Sequence, residues 1–502
     1  MTQSTFATGT TDSAAHVTEA PPYLDHQYIA GWRTGSSSRS LDVHNPFTGQ
    51  LVTSFPMATV EDVDRAYQAA ADSQGEWAAA PASQRRDVIE RARHWLMEHG
   101  DEVREYLVRE GGGTRSKAEF EFGLAIDLLH AAEAWCEIAT GEILPSPEAD
   151  RENRLDRLPV GVVGVISPFN APFFLSLKAV VPALALGNAV VLKPHELTPV
   201  AGGTLIAHMF AAAGLPAGVL NVVVTDIAEV GDSLVEHPIP SAIAFTGSAA
   251  TGRHIAEVAG RHLKKVVLEL GGNSAFVVLH DADLDLAVGA GLMSRFIHSG
   301  QVCMAANRFI VHADVYDEFL DRFIAGARAL TIGDPDDPAT MLGPLISAHQ
   351  AQLLDSQVET AVARGARLAL GTDPRRADDA LYPPVVLAEV TEDNPVAQQE
   401  LFGPVACFMR ARDDDDAVRL ANATPYGLSG AVFTRDLARG VRVAQRIRTG
   451  MVHVNDATVS DQPAVPFGGV GASGHGRLNG RSSIEAFTYL RWTRINRGAF
   501  SG

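Results

Sequence analysis

Apolar positions in the first part of the chain recur at three- and four-residue spacing. Between 59 and 140, Val60-Val63-Ala66-Tyr67 and later Leu124-Ile126-Leu128-Leu129 predict a run of helices. From 159 to 270 the rhythm changes to short β-branched blocks separated by helical stretches. The blocks are Val162-Val163-Gly164-Val165-Ile166, Ala189-Val190-Val191-Leu192, Val219-Leu220-Asn221-Val222-Val223, Ala242-Ile243-Ala244-Phe245 and Val266-Val267-Leu268. Their connections run to about 20 residues, long enough for crossover helices and too long for hairpins. The blocks are almost continuously apolar, which predicts a parallel, doubly wound sheet buried on both faces. A second βα rhythm follows through Ala275-Phe276-Val277-Val278-Leu279, Phe309-Ile310-Val311, Val405-Ala406-Cys407-Phe408, Ala431-Val432-Phe433 and Val452-His453-Val454. It predicts a second α/β unit over 273–465. The block 486–495 reads as a terminal strand, and its open edge predicts subunit association.

The chain has 502 residues, enough for two to four domains at roughly 100–200 residues each. Its 41 Lys and Arg against 60 Asp and Glu give a net charge of −19, which opposes binding to nucleic acid or an anionic membrane. Three widely spaced cysteines, Cys136, Cys303 and Cys407, form neither a disulfide framework nor a metal-ligand cluster, and they suit a reducing compartment. The first 20 residues carry no Lys or Arg and read, over 1–21, as a loose tail rather than a targeting segment. The longest apolar run, 179–192, falls short of the ~18–20 residues that span a bilayer and contains Pro182, Gly187 and Asn188. A soluble cytoplasmic protein is expected.

Loops after the C-terminal ends of parallel strands are where such sheets bind ligands. The second block ends in Lys193-Pro194-His195-Glu196, a cation and an acid suited to the hydroxyls of an adenosine ribose. The fourth ends in Phe245-Thr246-Gly247-Ser248 and runs on to Thr251-Gly252, where a glycine turn and a capping hydroxyl open a helix whose N-terminus can face a pyrophosphate. Either alone is equally an ordinary capped turn; their place on successive parallel strands points to a nucleotide. The GxGxxG match at 469–474 lacks the flanking strand and helix of a dinucleotide loop and is set aside. The acids at 413–416 read as a solvated helix start.

Cys136 and Cys407 lie in apolar runs and read as inert core. Cys303 follows Ser299-Gly300-Gln301-Val302, where glycine permits close backbone approach, and is the candidate nucleophile. Glu269, in Leu268-Glu269-Leu270-Gly271-Gly272, stands at the end of a buried strand, where an acid must be solvated, paired or used; it is the candidate base. Asn170, in Ser167-Pro168-Phe169-Asn170, offers an amide donor at another strand end. A thiol, a carboxylate and an amide can supply nucleophile, base and oxyanion stabiliser.

Together with Glu400-Leu401-Phe402-Gly403-Pro404 and Pro466-Phe467-Gly468-Gly469, these blocks resemble the aldehyde dehydrogenase superfamily, in its order, over 28–494. The resemblance implies an α/β fold of two doubly wound parallel-sheet domains plus a small β oligomerisation element. The implied parts are an NAD-binding domain from 22–139 and 159–272, a catalytic domain at 273–465, and an oligomerisation element from 140–158 and 485–502. A homodimer or homotetramer follows. The resemblance also implies the roles. Cys303 is nucleophile, Glu269 general base and Asn170 oxyanion amide. Ser167, Phe169, Lys193, Glu196, Phe245, Gly247, Ser248, Gly252 and Leu270 touch the cofactor, Glu400 holds the nicotinamide ribose and Phe402 packs near the nicotinamide. Val302, Met304 and Phe467 line the substrate tunnel, no metal is involved, and 469–474 becomes a catalytic-domain loop.

Within the superfamily, Leu175-Ser176-Leu177-Lys178 and the stretches 455–461 and 472–474 are most similar to benzaldehyde, vanillin and salicylaldehyde dehydrogenases, which implies an aromatic aldehyde. Lys178 is then expected to face the tunnel and meet a ring hydroxyl, or else to lie on a helix surface. Glu196 suits a free 2′-hydroxyl and opposes a 2′-phosphate, so NAD is implied, with Lys193 and His195 leaving NADP open. Three departures from the superfamily pattern stand out: the glycine-poor stretch 224–231 after the third strand, Leu478 where relatives often carry an acid after the Gly476-Arg477 pair, and Gln399 before Glu400. Alternatives are an aliphatic or semialdehyde dehydrogenase, including a CoA-acylating one, and a non-catalytic homologue. Glu269 argues against the CoA-acylating enzyme, and retention of Cys303, Glu269 and Asn170 argues against the homologue.

Overall fold

A computed structural model of the chain describes residues 21–138, 140–371 and 380–500. The tail expected over 1–21 lies, apart from Pro21, outside the described residues, as do Ala139 and the last two residues of the 485–502 segment. The helical stretch resolves into α1 (Val60–Ala79), α2 (Ala82–Glu98), α3 (Gly100–Arg109) and α4 (Arg115–Ile138). Thr59 opens α1 with a capping box: its hydroxyl accepts from Asp62 N–H, and the Asp62 carboxylate accepts from Thr59 N–H. Such a cap is worth about 1 kcal/mol.

The first sheet is built on β1 (Val162–Ile166), β2 (Ala189–Lys193), β3 (Leu220–Val222), β4 (Ala242–Gly247) and β5 (Lys265–Leu270). These lie in the spatial order β5-β4-β1-β2-β3, all parallel. The order reverses beside β1, so both faces are covered. Val163 and Val165 join the core made with α2, α4 and the helix Pro172–Ala185, whereas Val162 joins the core made with Val63, Ala66, Tyr67 and Ala70 of α1. Alternate residues of one strand enter different cores, which is why the strands read as unbroken apolar runs.

The second sheet contains β6 (Ser274–Val278), β7 (Ala306–His312), β8 (Val385–Ala388), β9 (Val405–Ala411), β10 (Gly430–Phe433) and β11 (His453–Val454). Its parallel order is β8-β9-β7-β6-β10-β11, with Arg367–Leu370 antiparallel at the outer edge of β8. Again Ala275 and Val277 face one core and Phe276 and Val278 the other. β8 was not expected, because Pro383-Pro384 break the pattern just before it.

A third sheet sets Arg151–Pro159 between Glu142–Leu144 and Thr488–Asn496, both antiparallel to it. The two segments expected to form the oligomerisation element, 140–158 and the terminal strand, therefore meet. The glycine-rich stretch at 469–474, expected as a loop of the second unit, ends instead in the two-residue strand Gly474–His475 on the outer edge of β5, with Gly474 opposite Glu269. Glycine is required there: a Cβ would sit 2.1 Å from Leu268 O. The acids at 413–416 start a helix, Asp414–Ala421, capped by Asp413, but Asp416 is buried and paired with Arg412 and Arg419 rather than solvated. Among the described residues no helix is long and apolar enough to cross a membrane.

Candidate active site

A cavity of about 560 Å³ opens along the C-terminal ends of β1, β2, β4 and β5, the edge that parallel sheets use for ligands. A smaller cavity of about 70 Å³ also borders Cys303. Cys303 and Asn170 line both, so they stand where the two meet.

The larger cavity gathers residues from separate strand ends. After β2, Lys193 Nζ lies 3.0 Å from Glu196 Oε2, and both border the cavity. Burial alone would raise the Glu196 carboxyl, but Lys193 and His195 hold it below its ordinary value, so it is ionised at neutral pH. Burial pushes His195 down to about 4, which leaves its ring neutral. After β4, Ser248 caps the helix Ala249–Arg261 by accepting from Thr251 N–H, and that N-terminus borders the cavity. Ser167, Phe169, Phe245, Gly247, Leu270, Glu400 and Phe402 complete the expected set, with Phe169 edge-on to Phe402 at 5.8 Å. Gly252 is not among the lining residues. A Cβ there would lie 2.3 Å from Leu270 Cδ2, so its role is to let the helix pack on β5. The glycine-poor stretch after β3 forms the short helix Ile227–Val230, and Ile227, Val230 and Gly231 border the same cavity.

Glu400 Oε1 accepts from Gly272 N–H at 2.9 Å, and a Cβ on Gly271 would fall 2.2 Å from Glu400 Oε2. The glycine pair after β5 is thus what admits this carboxylate, which burial pushes up to about 7. Glu269 is 5% exposed, and neither carboxylate oxygen has a hydrogen-bond partner among the described residues. Burial pushes it up to about 8, against the pull of Lys178 and Arg477. Burial, Glu400 and Glu269 push the Cys303 thiol up to about 12, with Lys178 working the other way. Asn170 Nδ2 donates to Gln301 O at 2.9 Å with one of its two hydrogens and keeps the other for a ligand.

The smaller cavity has largely apolar walls that include Val302, Met304 and Phe467, as expected, together with Phe174, Leu175 and Val459. Lys178, expected on the tunnel or on a helix surface, is in neither place. It is 1% exposed, absent from the lining, ion-paired with Asp461 and set 3.3 Å above the Phe467 ring. Asp461 does line the smaller cavity, and its Oδ1 accepts from Asn479 Nδ2 at 2.7 Å. No local pattern marks Asp461, since its partners come from distant segments.

The geometry joins a nucleotide-sized cavity to an apolar pocket through one thiol. The aldehyde dehydrogenase family profile matches residues 32–493. The chain belongs to the aldehyde dehydrogenase family. Among its aldehyde dehydrogenase relatives, a benzaldehyde dehydrogenase of Bacillus subtilis is 51% identical, covering 94% of this chain and 97% of that protein. A vanillin dehydrogenase of Corynebacterium glutamicum is 44% identical over 93% of this chain and 96% of its own. The crystal structure of an NAD-dependent benzaldehyde dehydrogenase from Corynebacterium glutamicum superimposes with a TM-score of 0.87 at 41% identity, covering 95% of this chain and 97% of that one.

Proposed function

We propose that this aldehyde dehydrogenase oxidises an aromatic aldehyde to its carboxylic acid with NAD as acceptor. The observation that carries the reading is the meeting of a large polar-edged cavity and a small apolar pocket at Cys303. The donor set fits a dinucleotide: carboxylates at Glu196 and Glu400 for ribose hydroxyls, and a capped helix N-terminus for a pyrophosphate. An ionised Glu196 repels a 2′-phosphate, which supports NAD over NADP. Apolar walls around the thiol suit an aromatic ring, and the likeness to benzaldehyde and vanillin dehydrogenases supports the same class.

In this reading Cys303 gives up its proton to solvent and adds as thiolate to the aldehyde carbon. The second N–H of Asn170 Nδ2 and the Cys303 backbone N–H meet the resulting alkoxide, and losing one such donor costs on the order of 10²–10³ in rate. When bound, NAD supplies the acceptor for the hydride lost from that carbon, which leaves a thioester on Cys303. Glu269, with both oxygens unengaged, takes a proton from water, and the hydroxide releases the acid and restores the thiol. The low polarity around Glu269 makes it a stronger base than a solvated carboxylate.

A panel of ring-substituted benzaldehydes and linear aldehydes, each with NAD and with NADP, tests the reading. The highest kcat/KM is expected for benzaldehydes with NAD. A preference for linear aldehydes would remove the aromatic assignment and leave the dehydrogenase standing.

The buried Lys178–Asp461 pair yields a signed pH prediction. Lys178 favours the ionised forms of Glu269 and Cys303, and Asp461 opposes them. Lys178→Met is therefore expected to move the alkaline rise of kcat to higher pH and Asp461→Asn to lower pH. Shifts of the same sign in both variants would contradict this electrostatic role.

Self-association belongs to the same reading. The sheet of Glu142–Leu144, Arg151–Pro159 and Thr488–Asn496 leaves Trp492 63%, Leu490 52% and Leu144 40% exposed on one face, an apolar patch suited to a second copy in a dimer or tetramer. A cytoplasmic location also belongs to it, supported by the free thiols of Cys136, Cys303 and Cys407.

A further inference from the structure

The backbone that delivers Cys303 is strained. His298 and Ser299 have φ of 49° and 53°, followed by Gly300 at 76°. Consecutive non-glycine residues in the left-handed region persist only when their surroundings hold them there. Ser299 Oγ donates to Gly343 O at 2.7 Å, and Gln301 Oε1 accepts from Ile346 N–H at 2.9 Å, which anchors one side. The other side rests on Arg295, in the last turn of the helix Leu284–Phe296.

Arg295 is fully buried and has no ion-pair partner among the described residues. A cation in that setting is expensive unless its N–H groups are all used on well-placed acceptors. Four acceptors surround its two terminal nitrogens, while its buried Nε has no hydrogen-bond partner among the described residues. Nη2 donates to Gly300 O at 2.7 Å and to Leu401 O at 3.2 Å. Nη1 donates to Ala306 O at 3.3 Å and to the Asn307 side-chain oxygen. One guanidinium nitrogen thus bridges the strained loop before Cys303 and the residue between Glu400 and Phe402. The other reaches Asn307, whose Nδ2 donates to Gly272 O at 3.4 Å, and Gly272 N–H holds Glu400 Oε1. The approach is tight, because a Cβ on Gly300 would lie 2.3 Å from Gly403 O and 2.6 Å from Arg295 Nη2.

We infer that Arg295 is a positioning residue that fixes the Cys303 loop against the Glu400–Phe402 segment, so that the thiol and the cofactor-side carboxylate keep one relative placement. The inference rests on the dehydrogenase reading for its kinetic consequence and on hydrogen bonds alone for its structural one. Lysine cannot substitute, because a single ammonium lacks the planar fork that reaches two loops at once.

The test uses full-length Arg295→Lys, with rates taken per folded molecule. A misplacement of about 1 Å at a reacting centre costs on the order of 10²-fold, so the NADH burst is expected to slow by about that factor. KM for NAD should rise with it. Alkylation of Cys303 by iodoacetamide, read by mass on its own peptide without aldehyde or NAD, is expected to accelerate as the released loop uncovers the thiol. A lower melting temperature with parental burst, KM and alkylation would mean that Arg295 only stabilises the fold, and would overturn the inference. Should Arg295→Lys not fold, Asn307→Ala breaks the link to Gly272 and is expected to raise KM for NAD; an unchanged KM overturns the inference. A parent protein without aldehyde-dependent NADH formation would refute the dehydrogenase reading instead, and the alkylation result would still decide the role of Arg295.

Discussion

Cys303→Ala is expected to form no NADH from any aldehyde while still binding NAD. Nothing else bordering both cavities is a nucleophile: Asn170 is an amide, and the thiols of Cys136 and Cys407 are buried elsewhere in the two cores. Without the sulfur there is no covalent adduct, so the aldehyde hydrogen has no alkoxide to drive it off as hydride. Removing the nucleophile of an enzyme that depends on covalent catalysis costs on the order of 10⁶-fold. Stopped-flow absorbance of NADH, with NAD binding measured in parallel by fluorescence, checks both halves of the expectation. Appreciable NADH from a folded Cys303→Ala protein would refute the thioester mechanism.

Glu269→Gln is expected to split the reaction in two. The first turnover should still give a burst of NADH, because neither the attack by Cys303 nor the Asn170 donor requires a carboxylate at 269. Steady turnover should then fall by about 10²–10⁴-fold, the usual contribution of a positioned general base. The pH dependence carries the sign. Burial raises the Glu269 carboxyl to about 8, so its base form is a minority below that pH and grows as pH rises through it. Release of acid by the parent enzyme should climb over that range, and the Gln variant should lose the climb. Steady-state rates equal to the parent's would remove Glu269 from the role proposed here.

Much of the fold was legible in the chain because of where its strands lie. β1, β2, β4 and β6 are covered on both faces, so unbroken apolar blocks betray them without any periodicity. The elements that escaped are those too short to show a period or masked by proline. Gln27–Tyr28, Trp32–Arg33 and Gly474–His475 are two-residue strands, too short for a period, and the last two lie at the sheet's edges. β8 is longer but hides behind two prolines. Of the proposed site, Cys303 and Asn170 were readable because each follows a glycine or strand signal, and Glu269 because it ends a strand just before a glycine pair. Gly252 shows what a sequence cannot separate: a glycine near a phosphate loop and a glycine that admits a packed leucine look alike in one dimension, and only the contact with Leu270 reveals the packing.

The sequence by itself determined which chemical groups stand at strand ends: a thiol after a glycine turn, a carboxylate before a glycine pair, a capping serine and an acid two residues after a lysine-proline pair. Strand burial and turn chemistry are local properties, so they are written locally. Only the tertiary structure decided how those groups are tuned. Lys178 looked like a tunnel or surface residue until folding set it against Asp461, 283 residues along the chain, beside Glu269. Arg295 carried no signal at all until its guanidinium was seen to span Gly300 and Leu401. Coulomb energies and desolvation depend on separation and burial in space. Chain distance does not encode them, and the charges that govern Cys303 and Glu269 therefore become visible only once the chain is folded.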